Sequence, residues 1–170
     1  FCVNIMLIFI IGLWFDNLLL LSATATSYLL IGLLWTIDII SFILTGNAPL
    51  NIVIYLEKAS SARFAMTLYH LLLLIVPLVV IMEKKKVHPR AWMASSAHFF
   101  VVSLITLAIT TSNISCLRAQ CEVPFISLLY LLKPAFLPLI LFNLIILTLL
   151  AFIPTNYALK WLVRKKSTQQ

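Results

Sequence analysis

Four stretches of this chain, residues 18–44, 63–82, 91–111 and 134–153, are so nearly unbroken in apolar residues that they suit the inside of a bilayer better than a water-facing fold. A helix crossing the hydrocarbon core needs roughly 20 apolar residues, and each stretch meets that length. The only charged residue of 18–44 is Asp38, and 134–153 carries Asn143 near its middle. Composition agrees: 63% of the residues are hydrophobic and 10% charged, against about 25% charged in ordinary soluble domains. Residues 1–13 are apolar but too short to cross alone, and read as the end of a helix that begins upstream. A secretory signal would need a basic n-region and a small-residue cleavage site, and neither is visible. The sequence therefore predicts one all-α domain over 1–170, a polytopic transmembrane helix bundle of about five spans, the first incomplete.

Orientation follows from where the lysines and arginines fall. The loop 83–90 holds Lys84, Lys85, Lys86 and Arg90, and the tail 160–170 holds Lys160, Arg164, Lys165 and Lys166. Two crossings separate these stretches, so they share one side. Lys58, Arg63, Arg118 and Lys133 fall on the other. The excess places the C-terminus in the cytoplasm and the N-terminus outside, as in a bacterial inner membrane. A net charge of +7 would elsewhere suggest nucleic acid. Here the charges sit in short loops, and no aromatic and basic surface is available to stack bases. The basic loops either only set topology or also touch anionic lipid. Outside, 47–58 and 124–132 are too short to span and read as helices lying on or dipping into the interface. Asn47 would cap the first of them, with Pro49 in its opening turn.

Ionisable groups at membrane depth are costly and mark candidate sites. Asp38 lies about 9 Å below the outer end of its helix, and His70 about 10 Å below the outer start of the next, at 1.5 Å per residue. The two can meet at one level. Trp35 is one turn from Asp38, Thr67 and Arg63 precede His70 by one and two turns, and Tyr69 is expected to point elsewhere. A carboxylate beside an imidazole can relay a proton; the alternative is a buried pair that only holds helix register. The candidate ligand-binding set is Trp35, Asp38, Arg63, Thr67, His70 and Asn113. His70, Asp38 and Thr67 are the residues that catalysis would use. His98 falls in the inner half, roughly 10 Å from the level of His70 in a core about 30 Å thick. A bis-histidine haem does not fit that separation. No cofactor or metal site is expected, and His88 reads as a solvated loop residue.

Ser96, Ser103, Thr106, Thr110 and Asn113 recur on one face of the third full span, as small polar residues do where helices pack closely. Asn143 and Pro138 on the last span are placed to line the same interior. Cys116 and Cys121 share the outer loop 112–123, where oxidising conditions favour a local disulfide. A catalytic or acylated cysteine is the alternative. Asn113-Ile114-Ser115 has the form of a glycosylation sequon. Phosphate-cradling loops are excluded, since the glycines are only Gly12, Gly32 and Gly46.

The segment Leu34-Trp35-Thr36-Ile37-Asp38 resembles the tryptophan–aspartate segment of a family of small bacterial multi-pass membrane proteins. Leu68-Tyr69-His70 with Pro77, Asn113-Ile114, and Ile153-Pro154-Thr155-Asn156 followed by basic residues extend that resemblance. It implies the helical architecture and no particular activity. The cysteines after Asn113-Ile114 depart from it. His70 followed by a proline-bearing apolar helix is also similar to the androgen-induced-protein family of membrane hydrolases, which implies a threonine–histidine pair acting on lipid esters. Three functions are therefore expected in competition. One is binding or transport of a lipid or small molecule at an outer-leaflet site. The others are an accessory subunit in a membrane complex, and an intramembrane lipid-ester hydrolase or acyltransferase. Membrane lipids, and other membrane subunits, are the expected partners.

Overall fold

A computed structural model describes residues 2–50, 52–53, 56, 60–61, 69–109 and 138–167. Among these residues the chain is helical and contains no strand. The elements are α1 (Cys2–Trp14), α2 (Leu18–Thr45), α3 (Tyr69–Lys84), α4 (Ala91–Ile109), α5 (Leu139–Leu147), a π turn (Thr148–Phe152) and α6 (Ile153–Ser167). Among the described residues three helices are long and apolar enough to cross a membrane: Leu18–Thr45, Ala91–Ile109 and the continuous run Leu139–Lys166.

The centre of the fold is α2, which touches α1, α3, α4, the π turn and α6. Its first half explains why. Every residue from Leu21 through Tyr28 is buried, in the sequence Leu-Ser-Ala-Thr-Ala-Thr-Ser-Tyr. A helix buried on all faces must be surrounded by others, and small residues let those neighbours come close. Ser95 on α4 uses that proximity: its Oγ lies 2.9 Å from the Ala23 carbonyl oxygen and 3.0 Å from that of Ala91. Gly12 does the same for α1. A Cβ there would stand 3.1 Å from Leu20 Cβ and 3.2 Å from the Leu21 amide nitrogen.

The ends of α2 are set locally. The Asn17 side chain accepts from the Leu20 amide at 3.1 Å as N-cap. At the far end Gly46 turns into the left-handed region at φ 75° and its amide closes on the Phe42 carbonyl. Near α2's start the basic segments converge. Lys84 pairs with Asp16, the His88 amide donates to Ser22 Oγ at 3.0 Å, and Asn156 Nδ2 donates to the Pro89 carbonyl at 3.2 Å. The α3–α4 loop and α6 therefore share one end of the bundle, as the charge pattern requires.

The last helix reaches beyond the 134–153 span and continues past Pro154 to Ser167. A proline inside a helix lacks a donor and crowds the carbonyl four residues back. The π turn just before it shifts the ladder, so the Ile153 amide bonds Thr148. The basic residues of 160–166 are thereby held on a helix. One expectation is corrected: no helix starts at Asn47 among the described residues. The chain turns at Pro49 and Leu50 instead, for a reason that lies in the site below. The other short outer segment, 124–132, lies outside the described residues.

Candidate functional site

On α2, Tyr28, Gly32, Trp35 and Ile39 are all buried. Steps of four, three and four put them in one stripe. The facing stripe of α3 is His70, Leu73, Leu74, Pro77 and Ile81, of which Leu73, Pro77 and Ile81 are buried. The two stripes meet, and Gly32 leaves room there for the Tyr28 ring. A Cβ on Gly32 would fall 2.6 and 2.8 Å from ring carbons of Tyr28 and 3.3 Å from Leu74 Cδ1.

His70 sits in this seam, half-buried. Its ring stacks on Trp35 with centroids 4.8 Å apart and planes 20° apart. The Tyr28 ring centroid lies 6.2 Å from it, tilted by 34°. Tyr69, expected to point elsewhere, brings its ring within 4.2 Å. Successive helical residues diverge by only about 100°, so two long rings can lean together where both have room. The imidazole thus stands in an aromatic cradle of three rings, two of them from α2.

Asp38 is one turn above Trp35 and wholly buried. Its carboxylate is taken up by the backbone of the following loop. Oδ1 accepts from the Leu50 amide at 2.7 Å, and Oδ2 from Ile52 at 2.7 Å and Val53 at 3.0 Å. Asp38 lies seven residues before the end of α2, so the loop has come back about 10 Å along the helix to reach it. This is why Asn47 caps nothing: the amides that a new helix would leave unpaired are bonded by Asp38. Val53 and Leu56 then pack on Trp35 and Ile39, with Leu71 beside them. A buried carboxylate needs several donors to offset its desolvation, and three amides supply them. The expectation set the Asp38 carboxylate beside the His70 imidazole; the structure turns the carboxylate to the loop amides, and it is Trp35, one turn from Asp38, that stacks on His70.

Arg63, Thr67, Asn113, Cys116 and Cys121 lie outside the described residues, as does Thr110. Of the small-polar face on α4, Ser103 is buried. Ser96 turns to the last helix, its Oγ 2.8 Å from Thr148 Oγ1 in the π turn. The serine packed against α2 is Ser95, one position away. His98 borders a small cavity of about 70 Å³ among α1, α2 and α4, lined also by Thr24, Ser27 and Ser95. That is room for about two waters. His88 is half-buried rather than freely solvated, with its Nδ1 accepting from the Arg90 amide at 3.2 Å.

Tyr28 and Gly32 were not singled out from sequence. The signal that could have found them is the step of three and four leading to Trp35, with a glycine interrupting an apolar span. No family model matches this chain, and no curated protein or solved structure does either. What it does has to be argued from its own geometry.

Proposed function

We propose that this chain is a multi-pass membrane protein that binds a lipid or other small amphiphile in the seam between α2 and α3, in the outer half of the bilayer. The placement rests on the three helices long and apolar enough to cross and on the basic segments collected at one end. By the charge rule that end is cytoplasmic, as in a bacterial inner membrane. The observation that carries the binding reading is the His70 ring stacked on Trp35 beside Tyr28. An imidazole can donate and accept hydrogen bonds, and when protonated it is attracted to an aromatic face. Such a group at membrane depth is placed to hold a polar head while the apolar seam takes the tail. In this reading His70 and Trp35 contact the ligand. Asp38 positions them by holding the loop over Trp35. The hydrolase reading needs a nucleophile at His70, and Thr67, its nearest candidate in sequence, lies outside the described residues.

The test uses Trp35 as its own reporter. Replacing Trp14, Trp92 and Trp161 with phenylalanine leaves one tryptophan, and brominated phospholipid quenches it on contact. The expected result is quenching that saturates at low mole fraction of brominated lipid and weakens in His70→Ala. Quenching that simply tracks the bulk fraction of brominated lipid, equally in both proteins, would refute the site. A stoichiometric partner helix covering this seam after mild extraction would favour the accessory-subunit reading instead.

A further inference from the structure

The threonines of α2 differ in where their hydroxyls go. Thr24, Thr36 and Thr45 each turn back on their own helix, Oγ1 donating to the carbonyl four residues earlier at 2.9, 2.7 and 2.8 Å. Thr26 is 1% exposed, and among the described residues its Oγ1 has no hydrogen-bond partner. On α6, Asn156 is wholly buried. Its Nδ2 donates to the Pro89 carbonyl, which turns Oδ1 the other way, and among the described residues that oxygen has no partner either. Buried polar atoms are nearly always bonded, and where the protein supplies no partner an ordered water does.

Both atoms belong to one seam. Ser22 and Asn156 are held level by the His88–Pro89 step, through the His88 amide on Ser22 Oγ and the Asn156 amide on the Pro89 carbonyl. Two turns further along α2, Leu30 packs on the cluster of Phe99, Ala151 and Phe152. Thr26 is midway, four residues from Ser22 and four from Leu30, while Asn156 is four residues past Phe152. Residues four apart share a helix face, so Thr26 and Asn156 look into the same stretch between α2 and the last helix, about 6 Å apart in height. That offset suits a bridge better than a direct bond. A threonine hydroxyl has a proton to give, and an amide oxygen has lone pairs to fill; a water accepts the one and donates to the other. A cation would fill lone pairs only, leaving the hydroxyl proton without an acceptor. The π turn that ends at Phe152 and the missing amide of Pro154 adjoin this stretch, and such interruptions in apolar helices are where ordered water enters.

We propose that a buried water is bound between α2 and α6, accepting from Thr26 Oγ1 and donating to Asn156 Oδ1. Ser22 Oγ accepts the His88 amide and keeps its own proton to give, which supplies the third bond that buried waters commonly make. The site is separate from the His70 seam and does not depend on a lipid there.

Hydroxyl-radical footprinting of the full chain in nanodiscs tests this, because radicals formed from a bound water label the buried side chains beside it. With labelling normalised to the exposed Tyr157, Phe152 and Leu159 are both wholly buried yet should be labelled well above Ile39, a comparably buried residue of α2. Thr26→Val and Asn156→Leu are close in shape and each removes one partner of the water. Both should bring Phe152 and Leu159 down to the level of Ile39, while Thr26→Ser keeps the wild-type pattern. Wild-type labelling of Phe152 and Leu159 no higher than that of Ile39 overturns the proposal, as does labelling that survives in both Thr26→Val and Asn156→Leu.

Discussion

Changing Asp38 to asparagine tests whether one carboxylate holds the loop after α2. The acid accepts three amides, one on Oδ1 and two on Oδ2. An asparagine of the same shape has one carbonyl oxygen, which can keep the Ile52 and Val53 bonds. Its NH2 then faces the Leu50 amide, donor against donor. One charge-assisted bond of about 1.5–3 kcal/mol is lost, and the two retained bonds fall towards the neutral value of about 1 kcal/mol. At the low end of these ranges the sum is about 3 kcal/mol, with undocking of the loop as the ceiling. At 1.4 kcal/mol per tenfold, local opening becomes roughly a hundredfold more frequent. Hydrogen–deuterium exchange in nanodiscs reads this directly, because the amides of Leu50, Ile52 and Val53 exchange through that opening. They should exchange about a hundredfold faster in Asp38→Asn, while the amides of α4 keep their protection. Unchanged exchange at all three would show that the loop is held by Val53 and Leu56 packing, and the account of Asp38 would be wrong.

Gly32→Ala places a methyl against the buried Tyr28 ring, and overpacking of this kind costs about 1–3 kcal/mol; a lower unfolding temperature in detergent, together with weaker quenching of Trp35 by brominated lipid, is expected. Gly46→Ala meets no atom within 4 Å but sits at φ 75°, so about 1–2 kcal/mol of backbone strain is expected, recovered in part by Gly46→Asn in the same melt. Ser95→Ala removes an interhelical bond worth roughly 0.6 kcal/mol, whereas Ser95→Leu should separate α2 from α4 and abolish the folded species on size-exclusion chromatography. Lys84→Ala should leave stability within about 1 kcal/mol of wild type, because its pair with Asp16 lies on the exposed end of the bundle.

The helices were legible because each is written in a long apolar run, and a run of that length admits few other folds. That the α3–α4 loop and the last helix share one end was legible from the basic residues, and these segments meet around Pro89 and Ser22. Asp38 and His70 could be named because an ionisable group inside so apolar a run needs a reason. Which partners they take was not legible. The Asp38 bonds go to amides twelve to fifteen residues on, and a backbone donor has no letter in the sequence. The π turn before Pro154 was not legible either, because no local rule foresees a ladder shift of that kind. The encirclement of α2 was also hidden, since serine, threonine and alanine suit a lipid-facing helix as well as a central one.

By itself, then, the sequence determined that the chain is helical, where the apolar helices run, and which ends share a side. These follow from hydropathy and charge, which act residue by residue. Only the tertiary structure decided that Trp35 stacks on His70 while Asp38 turns to the loop amides, that Gly32 makes room for Tyr28, and that the basic loop and the last helix face one another across a hollow. Those depend on the rotation and spacing of helices, which are set by packing between residues far apart in the chain.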